Sequence, residues 1–205
     1  LDYDVNLDLA GIQSGPVASA FYRKAAGIFS GTADIRARIR GRGVSMADIR
    51  KNLSGRTDFR ISEGRIDSPV LAGGLADRLG IRSLNTLDFD VFKGNFRIES
   101  GKIRINGDYD SKDVKMKPSG TIGLDGSLGL DLNLRLAPDL SSRLPKDSPI
   151  ARLLADKQGW TQVPVRVSGD LSGPRFSLDS ARLQDQLKQK ATEKVLEKAF
   201  QKLFD

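Results

Sequence analysis

Asp125-Gly-Ser-Leu-Gly-Leu-Asp-Leu-Asn-Leu-Arg-Leu-Ala-Pro138 is the stretch on which the fold turns. Leu128, Leu130, Leu132, Leu134 and Leu136 take every second position, with small, polar or charged residues between them, which is the period of a strand with one apolar face. The same rhythm returns at Leu1, Tyr3, Val5, Leu7 and Leu9, at Ile35, Ala37 and Ile39, and at Val163, Val165 and Val167. The chain therefore builds a large one-sided sheet. Such a face needs helices, a second sheet or an apolar ligand against it, because left bare it aggregates.

Composition agrees with a β protein. The 205 residues permit one large or two small domains. A hydrophobic fraction of 39%, 6% aromatics and 21 glycines suit a turn-rich sheet with a minority of helix better than a densely packed α/β enzyme. The 33 Lys and Arg against 26 Asp and Glu leave a formal charge of +7, so nucleic acid, acidic headgroups and acidic partners all come into view. Cysteine is absent, which excludes a disulfide framework, a thiol nucleophile and a thiolate metal site, and suits a reducing compartment or an exported protein. No stretch approaches the roughly 18 uncharged apolar residues of a membrane span. Leu1 already lies in a strand pattern, so the chain is expected to be a segment of something longer.

Along the chain, Pro16 opens a helical stretch with Val17, Phe21, Ala25 and Ile28, and alternation resumes over 30–42. A short helix follows Ser45, with Ile49 and Leu53, and stops at Gly55. Thr57, Phe59 and Ile61 form a strand, Glu63-Gly64 a turn, and Pro69 opens a third helix with Val70, Leu71, Leu75 and Leu79. From Leu84 to Ala137 the reading is nearly all β, through Leu87, Phe89 and Val91, Phe96 and Ile98, Ile103 and Ile105, Val114 and Met116, Ile122 and Leu124. Turns are expected at Lys93-Gly94, Ser100-Gly101, Asn106-Gly107, Ser119-Gly120 and Asp125-Gly126, which makes an antiparallel meander. A connection over 138–159 holds a short helix through Ile150, Leu153 and Leu154, and strands follow at 160–168 and at Phe176 and Leu178. Leu183, Leu187, Ala191, Val195, Ala199 and Leu203, beside Leu196, Phe200 and Phe204, predict a terminal amphipathic helix. The expected division is a β-rich domain over 1–179 and a C-terminal helix over 180–205 packed on it.

Candidate chemistry is sparse. With neither histidine nor cysteine, Ser-His-Asp, Cys-His and His-metal schemes are excluded. Asp88 with Asp90, or Asp2 with Asp4, share a strand face and are the carboxylate pairs that remain for acid-base work, though the alternation favours a solvated face opposite Leu87, Phe89, Leu1 and Tyr3. Asp108 and Asp110 have the first and third spacing of a calcium loop, but Lys112, Asp113 and Ser119 break the pattern and favour a polar hairpin. Gly123, Gly126 and Gly129 flank a hairpin instead of opening a helix, so they make no phosphate loop. No metal and no cofactor is expected.

Two basic stripes stand out. Arg36, Arg38, Arg40 and Arg42 share one strand face, either as a solvated edge-protecting surface or as a site for anionic headgroups or a partner. They lack interleaved aromatics and a recognition helix, which argues against specific nucleic-acid binding. Lys190, Lys194, Lys198 and Lys202 line the terminal helix, either as an ordinary solvated face or as one that meets a membrane surface or a partner.

Three blocks carry a resemblance: Asn52-Leu-Ser-Gly-Arg-Thr-Asp-Phe-Arg-Ile-Ser-Glu-Gly-Arg-Ile66, Phe92-Lys-Gly-Asn-Phe-Arg-Ile-Glu-Ser-Gly101 and Val163-Pro-Val-Arg-Val-Ser-Gly-Asp-Leu-Ser-Gly-Pro-Arg-Phe176. In this order they resemble the C-terminal region of AsmA-like proteins of Gram-negative envelopes, a group that includes the TamB relatives. The resemblance implies a periplasmic segment tethered to the inner membrane by an upstream helix, and a role in outer-membrane assembly or in moving phospholipid along an apolar β groove. It offers no catalytic residues.

The expected architecture is α+β and β-rich: a curved antiparallel meander sheet with short helices and a C-terminal amphipathic helix. The expected function is a non-enzymatic periplasmic module that handles phospholipid or another acyl-chain lipid. Candidate lipid contacts are Leu128, Leu130, Leu132, Leu134, Leu136, Phe89, Val91, Phe96 and Ile98, with the Arg and Lys stripes as candidates for anionic headgroups or a partner. The alternative is a structural cap or docking domain for an envelope protein, without lipid; an enzyme using strand carboxylates is a third reading. A face open to both ends favours transport, and a dry closed core favours the cap.

Overall fold

The computed structural model describes residues 2–21, 27–45, 48, 51–145, 155–190 and 192. Nine strands follow one another in sequence and in space: β1 (Asp2–Gln13), β2 (Phe29–Arg42), β3 (Ser54–Asp67), β4 (Thr86–Glu99), β5 (Lys102–Asp110), β6 (Val114–Gly123), β7 (Ser127–Leu136), β8 (Thr161–Asp170) and β9 (Gly173–Leu178). Every neighbouring pair is antiparallel, so the sheet is an open meander with β1 and β9 at its edges. Helix α1 (Ser14–Phe21) follows β1, α2 (Ala72–Leu79) and a 3-10 turn (Arg82–Asn85) join β3 to β4, α3 (Pro138–Ser141) follows β7, and α4 spans 180–190. The β-rich meander with short helices is the architecture expected from the alternation. The helix expected through Ile150, Leu153 and Leu154 lies outside the described residues, as does the terminal helix beyond 192.

The strands are longer than their glycines suggest. Glu63-Gly64, Lys93-Gly94, Asn106-Gly107 and Ser119-Gly120, expected as turns, lie inside β3, β4, β5 and β6. The reason is the space a missing Cβ leaves. At Gly64 a Cβ would sit 2.3 Å from the Phe89 ring of the next strand, and at Gly107 it would sit 2.9 Å from that of Phe92. Gly64 and Gly107 seat aromatic rings instead of reversing the chain, whereas at Gly120 a Cβ would meet the β7 backbone at Gly129 and Leu130. The β4–β5 reversal falls at Ser100-Gly101, where φ is 50° and 73°, the left-handed pair a two-residue hairpin needs.

A bulge shapes the core. Glu63 has φ 49° and adds one residue to β3 relative to β2, so Ile61 and Gly64 replace the usual spacing of two. Across in β4, Phe92 and Phe89 come to the same face, their ring centroids 6.1 Å apart. Val91 is turned to the other side, opposite Ser62 and Asp110.

One half of the apolar face is closed. Leu75, Ala76 and Leu79 of α2, Ile81, Leu84, Leu140 and Leu144 form one buried cluster with Leu87, Phe89, Tyr109, Val114, Met116, the Leu strand and Val163, Val165 and Val167. Gly80, with φ 70°, ends α2 in a left-handed cap and turns the chain back toward the sheet. The other half, made by β1, β2 and the facing ends of β3 to β5, stays outside this cluster. Val5 and Leu7 there are 40% and 37% exposed, and Leu9, Ile35, Ile39, Phe59, Phe96, Ile103 and Ile105 are half-buried.

Helix α4 lies against the opposite, polar face. Asp179 accepts a hydrogen bond from the Arg182 amide at 3.2 Å, and Arg182 reaches Asn133 at 3.2 Å and Asp131 at 3.3 Å. Charge matching with β7 and β8 therefore decides its side, and among the described residues it covers none of the apolar face.

Candidate functional site

The structure divides the residues proposed for lipid contact. Leu132, Leu134, Leu136, Phe89 and Ile98 are buried, as is Leu128, and all but Ile98 belong to the closed cluster. Val91 points away from the apolar side. Leu130 and Phe96 alone of the nine are half-buried on it. Among the described residues the more open surface lies instead where β1 to β5 run side by side, along the lateral row Leu7, Ala37, Thr57, Phe96 and Ile105, in which Leu7 is exposed, Thr57 is buried and the others are half-buried. Alternation marks each of these residues as apolar-facing, but it does not tell covered from uncovered.

The Arg36, Arg38, Arg40 and Arg42 stripe is present on the polar face, and β1 supplies its counter-charges. Arg36 lies 3.5 Å from Asp8, Arg38 and Arg40 lie 3.3 and 2.9 Å from Asp4, and Arg42 lies 2.7 Å from Asp2. The hydrogen bond and charge of Arg42 hold the Asp2 carboxyl below its ordinary range, and the bonds from Arg38 and Arg40 do the same for Asp4. Asp2 and Asp4, considered as a catalytic pair, are thus partners of this stripe. Of the lysine stripe, Lys190 donates a hydrogen bond to the Ala155 carbonyl, and Lys194, Lys198 and Lys202 lie outside the described residues.

A second basic array was missed because it runs across strands. Arg38 pairs with Arg56, Arg56 with Arg97, and Arg97 with Arg104. In the sequence Arg56, Arg97 and Arg104 are single polar positions in separate strands, and no spacing along the chain announces that they meet.

The carboxylate candidates do not form a buried pair. Asp88 and Asp90 line a cleft of about 290 Å³ with Tyr109, Ser111 and Asp113, but Asp88 is exposed and held by Arg65 at 2.5 Å. Tyr109, fully buried, donates to the Asp88 carbonyl at 3.0 Å, and burial pushes its phenol well above the ordinary range. Asp108 and Asp110 sit in β5, with Asp110 3.1 Å from Lys115. Among the described residues no three carboxylates gather as a metal site would require.

Beside β7 a loop is tied by Asp156. Its carboxylate accepts from the Gln158 and Trp160 amides at 2.9 and 3.0 Å and from Arg135 at 2.6 Å, and Arg135 stacks 5.4 Å from the Trp160 ring. Partial burial pushes this carboxyl up, but Arg135 and the two amides outweigh it and hold it below its ordinary value. A carboxyl depressed by folding stabilises the loop above its unfolded pKa and releases it as pH falls through the folded one. Trp160, the single tryptophan, should keep its neutral-pH emission through the ordinary carboxylate range and change only below it. Asp156→Asn should abolish that step; a step that survives in the variant would assign it to another group.

No family model, no curated protein and no solved structure matches the chain.

Proposed function

We propose that the protein is a non-enzymatic lipid-handling module, in which the open half of the apolar face takes the acyl chain of a phospholipid. The observation that supports this is the row from Leu7 through Ala37 and Phe96 to Ile105, which among the described residues stays outside the closed cluster. Five strands at about 4.8 Å make a floor about 19 Å wide, longer than the roughly 15 Å that one leaflet contributes to a bilayer's hydrocarbon core. Each methylene buried there contributes about 0.8 kcal/mol. The resemblance of 52–66, 92–101 and 163–176 to AsmA-like proteins adds a setting: the periplasm, with an inner-membrane tether, in lipid transfer or outer-membrane assembly.

Native mass spectrometry on protein purified gently from a Gram-negative host tests the reading. Phospholipid should co-purify at a defined ratio and be lost from Ile105→Asp, with circular dichroism showing that the variant is folded. Wild-type protein that arrives without lipid and ignores added phospholipid would instead support a docking domain. The outer edge of β1, unpaired among the described residues and bearing exposed Val5 and Leu7, is what favours that second reading, by strand addition of an envelope protein.

A further inference from the structure

The polar face of β2 to β5 holds an arrangement that the sheet itself does not stabilise. Arg38, Arg56, Arg97 and Arg104 stand in one row perpendicular to the strands, each directly opposite the next. At strand spacing the row is about 14 Å long. Like charges directly opposite one another destabilise a sheet, and this row repeats the juxtaposition at three consecutive pairings. Its ends are neutral, with Asn6 opposite Arg38 and Thr121 opposite Arg104.

Compensation is missing along most of the row. Arg38 reaches Asp4, which it shares with Arg40. Arg56, Arg97 and Arg104 are exposed, and their side chains make no ion pair or hydrogen bond among the described residues, although Asp58 and Glu99 stand in the adjacent rows. The neighbouring Arg36, Arg40 and Arg42 have aspartate partners, as does Arg65 farther along β3, so Arg56, Arg97 and Arg104 stand apart from the paired arginines of this face.

We infer that this row docks the domain on an anionic phospholipid membrane. A small anion would engage one or two guanidinium groups and leave the others opposed. A nucleic acid would look for stacking rings, and the tyrosine and phenylalanines of β2 to β5 all lie on the other face. An acidic protein would need fixed carboxylates in matching register, whereas lipid phosphates move laterally in their plane until each meets a guanidinium. The surface is separate from the acyl-chain floor, since the two occupy opposite sides of one sheet.

Flotation with phosphatidylcholine vesicles, with and without phosphatidylglycerol, tests the inference. Binding should require phosphatidylglycerol and weaken with salt. Each arginine at an anionic surface contributes about fivefold, so the triple variant Arg56→Gln, Arg97→Gln, Arg104→Gln should bind about 100-fold less. The variant Arg78→Gln, Arg82→Gln, Arg143→Gln, with the same loss of charge on exposed residues outside the row, should bind nearly as wild type. The row variant should unfold no earlier than wild type, because it loses like-charge contacts; Arg97→Gln alone, about fivefold weaker, serves should the triple variant fold poorly. Equal binding by the two triple variants, no wild-type binding to phosphatidylglycerol, or preference for a single-stranded oligonucleotide or polyglutamate over the vesicles would overturn it. Ile105→Asp should keep vesicle binding, so failure of the acyl-chain reading and failure of this one give different results.

Discussion

Leu136→Ala is expected to lower the unfolding free energy by about 2–5 kcal/mol, and Leu7→Ala by about 1 kcal/mol or less. The two residues look alike in the sequence, each a leucine in strict alternation. Leu136 is fully buried, paired with Val114 on one side and Thr161 on the other, in the cluster that α2 and α3 close. Truncating it removes apolar contacts and leaves a cavity whose walls are held by two strands and two helices. Leu7 is 37% exposed on the edge strand, and an alanine there leaves a shallower surface and no enclosed void. Urea midpoints for the two variants give the comparison. Equal losses would mean that the open half of the face is covered as firmly as the closed half, and the acyl-chain floor would go with it.

Gly64→Ala is expected to cost about 3 kcal/mol, the upper part of the range for overpacking. Its Cβ would fall 2.3 Å from the Phe89 ring and 2.6 Å from the Ser30 carbonyl oxygen. The ring has other rotamers, but Phe89 is buried against Tyr109 at 5.3 Å, and the carbonyl belongs to the β2 backbone, which moves only with its ladder. In a Phe89→Ala background the same substitution should cost less without becoming neutral, because the Ser30 contact remains. Thermal unfolding of the four proteins of this cycle measures the coupling. Strict additivity would show that the ring does not rest on Gly64.

The same glycine illustrates the boundary of what local chemistry specifies. Glycine beside a polar residue reads as a turn, and at Ser100-Gly101 it is one, because two left-handed residues fit the twist of a hairpin. At Glu63-Gly64 the identical signal marks a bulge and a seat for an aromatic ring. The difference lies in Phe89, more than twenty positions away, which no window around Gly64 includes.

Alternation with a period of two was sufficient by itself to establish a β-rich antiparallel meander and most of its polar and apolar positions, because these follow from the local backbone and from short loops, but it divided β4, β5 and β6 at glycines that lie inside them. It also marked Arg36 to Arg42 as a single stripe, since all four lie on one strand. Tertiary structure alone decided which half of the apolar face α2 and α3 cover, that Asp2, Asp4 and Asp8 neutralise the stripe, and that Arg38, Arg56, Arg97 and Arg104 stand together. Those facts depend on register, and register is set by turns and by the bulge at Glu63, where a shift of one residue exchanges every lateral neighbour. The period along a strand is written into its own residues; what stands beside it belongs to the sheet.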